Sequence, residues 1–400
     1  MATTEVLFNP FLPEFHADPY PFYRRLRAQD PVHQTPMGFW VLTRYEDCVT
    51  ALRDPRFGRE EFQQMLASVY GGEDSDRLPR SMLFRDPPDH TRLRALVSKA
   101  FTPRVVEQLR DHIQEIVDRL LDRAHGQGGM DVIEDLAYPL PVTVICEMLG
   151  VPVDDHASIR GWSADIARSL DAIGLLPSDQ SIVDRGRVAR RALADYFRAL
   201  VPGRRTRPQA DLLSGLLAAE EQGDKLTEPE VISMCLLLFI AGHETTVNLI
   251  GNGTLALLRH PEQLARLRAE PALVPNAVEE LLRYDSPVQR TARITTADVE
   301  IDGRPIAKGS MVVAALGAAN RDPAQFADPD RLDVGRRDVR HISFGYGIHF
   351  CLGAPLARVE GQIALGTLLR RAPELTLAEP SPEWRESSVL RGLKRLRVTW

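Results

Sequence analysis

The segment that most restricts the fold of this chain is Phe344–Gly353, which reads FGYGIHFCLG. Its two glycines, Gly345 and Gly347, let the backbone turn tightly and approach a flat ligand closely. A helical pattern over Ala354–Arg371 follows at once, so Cys351 lies just before a predicted helix N-terminus. The amides and dipole of such a terminus favour a thiolate over a thiol. A soft thiolate among apolar neighbours suits iron, but each of these features taken singly is also typical of a structural cysteine, which is the more usual role near a helix start.

The other three cysteines are Cys48, Cys146 and Cys235, and no two cysteines form a C-x-x-C pair. This spacing indicates neither a zinc knuckle nor a disulfide framework. All three lie among apolar residues at helical spacing, where a thiol behaves as a small hydrophobic side chain. We therefore expect them to be buried and inert.

Most of the remaining chain has the hydrophobic periodicity of helices. The helical patterns cover Val105–Leu121, Leu193–Leu200 and Leu212–Leu217. The strand candidates are short and scattered, and they are Phe39–Thr43, Val299–Ile301, Met311–Ala314 and Leu396–Trp400. Asp302-Gly303 predicts a hairpin turn. The sequence predicts a mainly α fold, in which residues 1–400 form a single large helical domain with small β-sheets.

One helical pattern is unusually long, from Thr227 to about Arg259. Thr227 and Glu230 form a capping box at its start, and the helix would be roughly 45 Å long. Its centre contains Gly242 and two threonines, which are poor helix formers. The Thr245 hydroxyl can bond the carbonyl of residue 241 and bend the helix. A tolerated kink and a functional defect both fit this pattern.

Charge and hydropathy limit the cellular setting. The net charge is −6 and the pI is about 6.0, so neither nucleic acid nor an anionic membrane is expected as a partner. The start of the chain, Met1–Pro19, lacks the basic and apolar regions of a secretory signal. The longest apolar run, Val231–Gly242, is shorter than the ~20 residues needed to span a bilayer. We expect a cytoplasmic protein without a membrane anchor.

The Phe344–Gly353 segment resembles the haem-binding loop of the cytochrome P450 family, F-G-x-G-x-H-x-C-x-G, at every fixed position. Three further segments resemble the family in its own order and spacing. Ala241–Thr246 resembles its oxygen-binding groove, Glu280–Arg283 its E-x-x-R pair, and Asp86–Arg94 the haem-facing helix of soluble bacterial members. The resemblance covers nearly the whole chain and implies a P450 fold with haem b as the cofactor.

The resemblance also implies roles for individual residues. Cys351 would be the thiolate ligand of the metal, and Thr245 and Glu244 would form the catalytic pair that supplies protons during oxygen activation. His243 receives no role. The other cofactor-binding residues implied are His90, Arg94, Ala241, Arg293, Phe344, Gly345, His349 and Gly353. The implied substrate pocket consists of Leu237, Ile240, Ala241, Gln289, Val389 and Leu390.

Glu280 and Arg283 are three positions apart on one helix face. Spacing alone predicts an exposed pair that contributes only ~0.2–0.5 kcal/mol. The resemblance instead implies a buried structural pair bonded to a third arginine. Arg331 is the first candidate for that arginine and Arg336 is its rival.

The implied activity is hydroxylation or epoxidation of a lipophilic small molecule by a monomeric enzyme. Fatty acids, polyketides or macrolides, steroids and terpenoids all remain open as substrates. The reaction would use O2 and electrons from an external ferredoxin and ferredoxin reductase. The basic residues expected to meet an acidic ferredoxin are Arg92, Lys99, Arg104 and Arg358. The alternatives are a hydrogen-peroxide-using peroxygenase on the same fold, against which the Glu244–Thr245 pair argues, and a non-catalytic haem-binding sensor.

Overall fold

The computed structural model describes residues 8–62, 81–98, 101–126, 128–169, 180–221 and 226–400. The prediction of a mainly α fold with small sheets is confirmed. The described α-helices are α1 (Pro13–Ala17), α2 (Tyr20–Gln29), α3 (Tyr45–Arg53), α4 (Asp89–Ser98), α5 (Pro103–Gln108), α6 (Arg110–His125), α7 (Pro139–Leu149), α8 (His156–Ser169), α9 (Gln180–Thr206), α10 (Leu212–Glu221), α11 (Glu228–Arg259), α12 (Pro261–Ala269), α13 (Val274–Tyr284), α14 (Leu316–Ala319) and α15 (Ala354–Arg371).

The strands form three small sheets. They are β1 (Val32–Gln34), β2 (Trp40–Leu42), β3 (Phe57–Gly58), β4 (Gly129–Asp131), β5 (Thr291–Thr295), β6 (Val299–Ile301), β7 (Arg304–Ile306), β8 (Met311–Ala314), β9 (Thr376–Leu377) and β10 (Arg397–Thr399). The largest sheet has the order β1-β2-β8-β5-β3, with β2 parallel to β8 and the other pairs antiparallel. A second sheet has the order β4-β10-β9, and β6 pairs with β7 in a hairpin. Asp302 and Gly303 turn this hairpin with φ angles of 50° and 70°, as predicted.

The chain divides into two compact units. The first comprises the residues up to Gly58 together with Gln114–Ala137 and Thr245–Trp400, and it contains all the described strands. The core under its largest sheet is apolar and includes Val32, Trp40, Leu42, Phe57, Val312 and Ala314. The second unit comprises Arg59–Ile113 and Tyr138–Glu244, and its regular structure is helical in the part of the chain that the structure describes.

The long helix α11 is confirmed, and so is its capping box. The Thr227 amide donates to Glu230 Oε2 at 2.8 Å, and the Glu230 amide donates to Thr227 Oγ1 at 3.4 Å. The helix continues without a break through residues 241–246. The predicted helix over Val105–Leu121 is instead two helices, α5 and α6. They separate at Leu109, whose amide donates to the carbonyls of residues 106 and 107 in a tighter turn.

Length and apolar composition would allow α11 to cross a membrane, although its longest apolar run, Val231–Gly242, is shorter than a membrane span. The helix extends well beyond that run, which explains the difference. In the most apolar 18-residue stretch of this helix, 67% is buried inside the protein. A helix in the core of a soluble protein can have the same length and apolar composition, and the burial of α11 agrees with such a position.

Candidate active site

The loop that precedes α15 is held in a tight turn. Gly345 and Gly347 have φ angles of 72° and 71°, in the left-handed region that favours glycine. A Cβ atom on Gly347 would lie 2.6 Å from the carbonyl oxygen of Leu52, so a side chain cannot fit there. The Cys351 amide donates to the Phe344 carbonyl at 2.9 Å and closes the loop. Cys351 is therefore held just before the N-terminus of α15, as predicted.

Cys351 differs from the other three cysteines in its exposure. Cys48, Cys146 and Cys235 are fully buried, as predicted, and burial raises the pKa of the Cys146 thiol to about 12 and those of the other two still further. Cys351 is only half-buried. The same loop exposes three large apolar side chains, Tyr346, Ile348 and Phe350, which are 40–53% exposed. The loop thus presents a partly accessible sulfur within an apolar surface.

Glu279 and Arg358 support this loop from behind. Glu279 accepts hydrogen bonds from Arg358 Nε and Nη2 at 2.7 and 2.9 Å and contacts His341 Nε2 at 3.2 Å. Burial alone would raise the pKa of Glu279, but these partners hold it at about 2. The Arg358 guanidinium also lies 4.6 Å from the centre of the Phe344 ring. Arg358 is therefore a structural support for the loop rather than an uncommitted surface cation.

The other three basic residues expected to face a ferredoxin differ in their surroundings. Arg92 forms an ion pair with Glu230. Lys99 lies outside the described residues. Arg104 is exposed and remains the candidate that best fits the expectation.

Glu280 and Arg283 form a buried pair on α13, with both side chains 0% exposed. Arg283 donates through Nε and Nη2 to Glu280 at 2.7 and 2.8 Å. The third arginine is Arg336, whose Nε lies 3.1 Å from both carboxylate oxygens of Glu280. The assignment of Arg331 was wrong: its side chain is 65% exposed and pairs with Asp333 instead. Arg331 contributes its backbone carbonyl, which accepts from both Arg283 and Arg336.

This network also anchors the start of the cysteine loop. Arg283 Nη1 donates to the Asn320 carbonyl at 3.0 Å. The Asn320 side chain then accepts from the Ile342 amide and donates to Ser343 Oγ, each at 2.8 Å. Ser343 Oγ in turn donates to the Leu282 carbonyl on α13 at 2.7 Å. The buried pair is thus linked through two steps to the segment that leads into Phe344.

One face in the middle of α11 is open although the surrounding helix is buried. Between residues 231 and 250, the positions that are not buried are Leu237, Ile240, Ala241, Gly242 and Thr245. Residues four apart in a helix lie on one face, so residues 237, 241 and 245 form a single line. The predicted pocket residues of this helix and the predicted catalytic threonine therefore share one accessible face.

Glu244 is buried beside this face and has an unexpected neighbour. Its side chain is 4% exposed, and its Oε1 lies 3.6 Å from Nε2 of His243. His243 is fully buried and contacts Ser163 of α8. No role for His243 followed from the sequence, because a single histidine in a helix forms no pattern with its neighbours.

Four of the predicted cofactor-binding residues are basic, and they lie on α4, on β5 and in the cysteine loop. On α4, His90 is buried, and its pKa is lowered by burial and by the nearby Arg94. Arg293 on β5 is also buried, and its Nη1 donates to Thr291 Oγ1 at 3.2 Å and to the Ala292 carbonyl at 2.9 Å. His349 is half-buried in a short 3₁₀ turn of the cysteine loop.

Gln289 was predicted to line the substrate pocket, and this was wrong. Its side chain is 1% exposed, and its amide donates to the Ser286 carbonyl at 2.8 Å and to Tyr20 Oη at 3.3 Å. It therefore belongs to the core of the first unit. Val389 and Leu390 are half-buried, as accessible pocket residues would be.

Glu360 of α15 is a buried carboxyl that the sequence did not single out. It is 1% exposed, and among the described residues neither of its oxygens has a hydrogen-bond partner at normal geometry. Burial raises its pKa to about 8, which the neighbouring Thr246 hydroxyl offsets only in part. The neutral acid is therefore the form that the folded protein favours.

This gives a pH-dependent prediction. Between the ordinary carboxyl pKa and about 8, the unfolded chain has lost the Glu360 proton and the folded protein has kept it, so stability falls as pH rises. The slope from this one group approaches about 1.4 kcal/mol per pH unit and vanishes above pH 8. Glu360→Gln should lack this contribution. Denaturant titrations of both proteins from pH 6 to 9 measure it, and parallel curves would contradict the assignment.

No cluster of three or more histidine, cysteine, aspartate or glutamate residues could hold a metal within the described ranges. The cytochrome P450 family model matches residues 32–376. The chain belongs to the cytochrome P450 family.

Full-length relatives support this membership. The polyketide biosynthesis cytochrome P450 PksS of Bacillus subtilis is 41% identical, and the alignment covers 99% of each chain. The 6-deoxyerythronolide B hydroxylase of Saccharopolyspora erythraea is 41% identical over 96% of each chain. The crystal structure of P450BioI in complex with a hexadec-9Z-enoic acid-ligated acyl carrier protein has a TM-score of 0.91 and 43% identity, covering 97% of this chain and 99% of that one. This cytochrome P450 is a haem-dependent monooxygenase.

The residues of this P450 fit haem b. A half-buried sulfur at a helix start provides one soft ligand, and the loop's exposed apolar side chains suit a flat porphyrin. Among the described residues, no atom lies within 4 Å of the position that a Cβ on Gly353 would take, and for Gly345 one atom does, the carbonyl oxygen of His349 at 3.8 Å. The space beside these two glycines thus leaves room for a large planar group against the loop.

Proposed function

We propose that this P450 hydroxylates or epoxidises a lipophilic small molecule with O2 and electrons from an external ferredoxin and its reductase. The observation that supports this best is the open face of α11, where Leu237 and Ile240 lie beside Thr245. Apolar side chains next to a hydroxyl suit an apolar substrate that reacts near a proton donor. The names of relatives include a polyketide enzyme, a complex with a fatty acyl carrier protein, a vitamin D(3) hydroxylase and a testosterone complex, so fatty acyl, polyketide and steroid substrates all belong to this proposal.

We also propose the setting of this reaction. Residues 1–400 form one haem-thiolate monooxygenase domain that acts as a cytoplasmic monomer. The family match and the nearly complete coverage of the relatives support this view. The exposed Arg104 is a proposed contact for an acidic ferredoxin, because opposite charges speed association.

The residues proposed to hold haem b are those that the resemblance implied. Cys351 supplies the thiolate, which the N-terminus of α15 stabilises. The haem propionates are bound by four basic residues. His90 and Arg94 lie four positions apart on one face of α4, and Arg293 and His349 complete the set. When bound, the haem activates dioxygen so that one oxygen atom enters the substrate.

The protein's own part in the chemistry is proton supply. The Thr245 hydroxyl is proposed to hold a proton at the open face. When Thr245 gives up that proton, the Glu244 carboxyl is proposed to supply a new one. Glu244 is buried, so its proton is shielded from bulk water except when the side chain rotates. A carboxyl placed next to a hydroxyl can act as such a general acid.

Thr245→Ala tests this proposal. The variant should fold and bind haem and substrate nearly as the wild type does, since it loses one hydroxyl and one methyl group from a partly open position. Without the hydroxyl, the protons needed for oxygen activation are no longer delivered at the open face of α11, and we expect the reduced oxygen to leave as hydrogen peroxide. Product per NADH should fall about tenfold or more while NADH consumption continues, because misplaced general acid catalysis typically costs 10²–10⁴-fold.

The measurement uses a substrate found by a spectral binding screen of fatty acids, polyketide lactones and steroids, with a surrogate ferredoxin and reductase. Product, peroxide and NADH are quantified for wild type, Thr245→Ala and Thr50→Ala, a control threonine on α3. Full coupling in Thr245→Ala would remove its role. Turnover with peroxide alone would favour the peroxygenase, and spectral binding without any turnover would favour the sensor.

A further inference from the structure

His243 forms two hydrogen bonds in the second unit of the fold. Its Nδ1 lies 2.6 Å from the Phe239 carbonyl, one helical turn earlier on α11. Its Nε2 lies 2.7 Å from Oγ of Ser163 on α8. Both His243 and Ser163 are 0% exposed. A buried imidazole with two partners and a carboxylate 3.6 Å away is more than a packing residue.

The first of these hydrogen bonds fixes one proton. A carbonyl can only accept, so Nδ1 of His243 must carry a hydrogen. Nε2 is then the position where a proton can be present or absent. When Nε2 is bare it accepts from the Ser163 hydroxyl, and when it is protonated the same hydroxyl rotates and accepts. Ser163 can therefore satisfy both protonation states of His243.

The second titratable group at this position is Glu244. A bare Nε2 beside an ionised Glu244 brings two electron-rich groups together, whereas one shared proton removes the repulsion. A carboxyl and an imidazole can share a proton at either atom, and a movement of about 1 Å would bring Oε1 and Nε2 to hydrogen-bond distance. The geometry thus couples the protonation of Glu244 to that of His243.

Two aromatic rings pack against His243. The Phe239 ring lies 4.9 Å away and the Tyr138 ring 6.0 Å away, centre to centre. These rings shield the imidazole, so a proton on Nε2 exchanges with its polar neighbours, Ser163 and Glu244, rather than with water.

We propose that His243 and Ser163 are positioning residues that store the proton with which Glu244 is recharged. The inference rests on the proposed role of Glu244. In the stored state the Glu244 carboxyl is neutral and His243 carries a proton on each ring nitrogen. When Glu244 gives its proton to Thr245, the Nε2 proton of His243 moves to Glu244 Oε1 and leaves both groups neutral. One proton from solvent, taken up through Glu244 after the cycle, restores the pair. No electrons are transferred in this step.

Two buried serines of α8 provide a matched test. Ser163 contacts His243, whereas Ser169 donates to the Ile166 carbonyl of its own helix. We expect Ser163→Ala to lower kcat about threefold to tenfold, the equivalent of one hydrogen bond, and to enlarge the solvent deuterium isotope effect. Ser169→Ala should stay within about twofold of wild type on the same scale. In a Glu244→Ala background, Ser163→Ala should change nothing further, because its action passes through Glu244.

A second measurement does not depend on turnover. In the diamagnetic carbon monoxide form of the holoenzyme, ¹⁵N spectra of labelled histidines report the state of each ring nitrogen. His243, assigned with His243→Phe, should show a protonated Nδ1, as its hydrogen bond to the Phe239 carbonyl requires. The Nε2 resonance should change in Ser163→Ala and in Glu244→Gln but not in Ser169→Ala.

The outcomes separate this inference from the function on which it rests. If Glu244→Ala slows turnover but Ser163→Ala matches Ser169→Ala in rate and in the Nε2 resonance of His243, the proton store is disproved and the role of Glu244 stands. A bare Nδ1 on His243 would also overturn it. If Glu244→Ala behaves as the wild type, the proposed proton supply itself fails.

Discussion

Replacing Cys351 with serine is expected to abolish the long-wavelength Soret band of the reduced carbon monoxide complex. That band depends on a thiolate ligand, whose electron donation to iron a hydroxyl oxygen cannot match. Cys351 is the half-buried cysteine of this chain and lies at the start of α15, where helix amides stabilise the anion. The loss should be complete rather than partial, because the other three thiols are buried far from ionisation.

The matched control is Cys146→Ser, the same chemical change at a buried cysteine. This variant should keep the band and lose only stability, since a hydroxyl is then placed in an apolar core. The measurement is the carbon monoxide difference spectrum per mole of haem, recorded for both variants and the wild type. A wild-type spectrum from Cys351→Ser would mean that another residue binds the iron.

Local sequence signals predicted the parts of the site that depend on neighbouring residues. The glycines at 345 and 347 predicted a tight turn, and the loop turns there with both glycines at left-handed φ angles. The capping box at Thr227 predicted the start of α11, and its hydrogen bonds are present. The four strand candidates were found because alternation and turn residues are themselves local.

The errors fall where distant segments meet. Arg331 and Arg336 are five positions apart in a segment without regular structure, so no periodicity shows which side chain turns inward. The path of that segment places Arg336 on Glu280 and turns Arg331 outward. Gln289 was likewise misplaced because its partner Tyr20 lies far away in the sequence. A pattern in one segment carries no information on such a partner.

The buried polar residues near α11 show a third case. His243 and Glu360 have ordinary sequence contexts, and their meaning comes from what surrounds them in space. Desolvation and the identity of a hydrogen-bond partner decide their protonation, and both are tertiary properties. The Glu280–Arg283 pair shows the same limit, since its spacing alone predicted an exposed pair.

Glu280→Ala is expected to lower the free energy of unfolding by about 3–5 kcal/mol and to leave little soluble, haem-loaded protein. The carboxylate accepts from Arg283, from Arg336 and from the Asp333 amide. Its loss leaves the fully buried Arg283 charge without its counter-ion, and this uncompensated charge accounts for the size of the effect. Because the network leads through Asn320 to the cysteine loop, haem retention should fall together with stability.

Three further variants show whether the effect comes from burial of this network. Glu107→Ala breaks a pair of identical spacing with Arg110, but the two side chains are 63% and 39% exposed, so it should cost under about 0.5 kcal/mol. Arg336→Ala should cost about 1–3 kcal/mol, because it removes donors to Glu280 and to three backbone carbonyls. Arg331→Ala should cost little, since its carbonyl remains. Denaturant unfolding and haem content measure all four; equal losses for Arg331→Ala and Arg336→Ala would reverse the assignment of the third arginine.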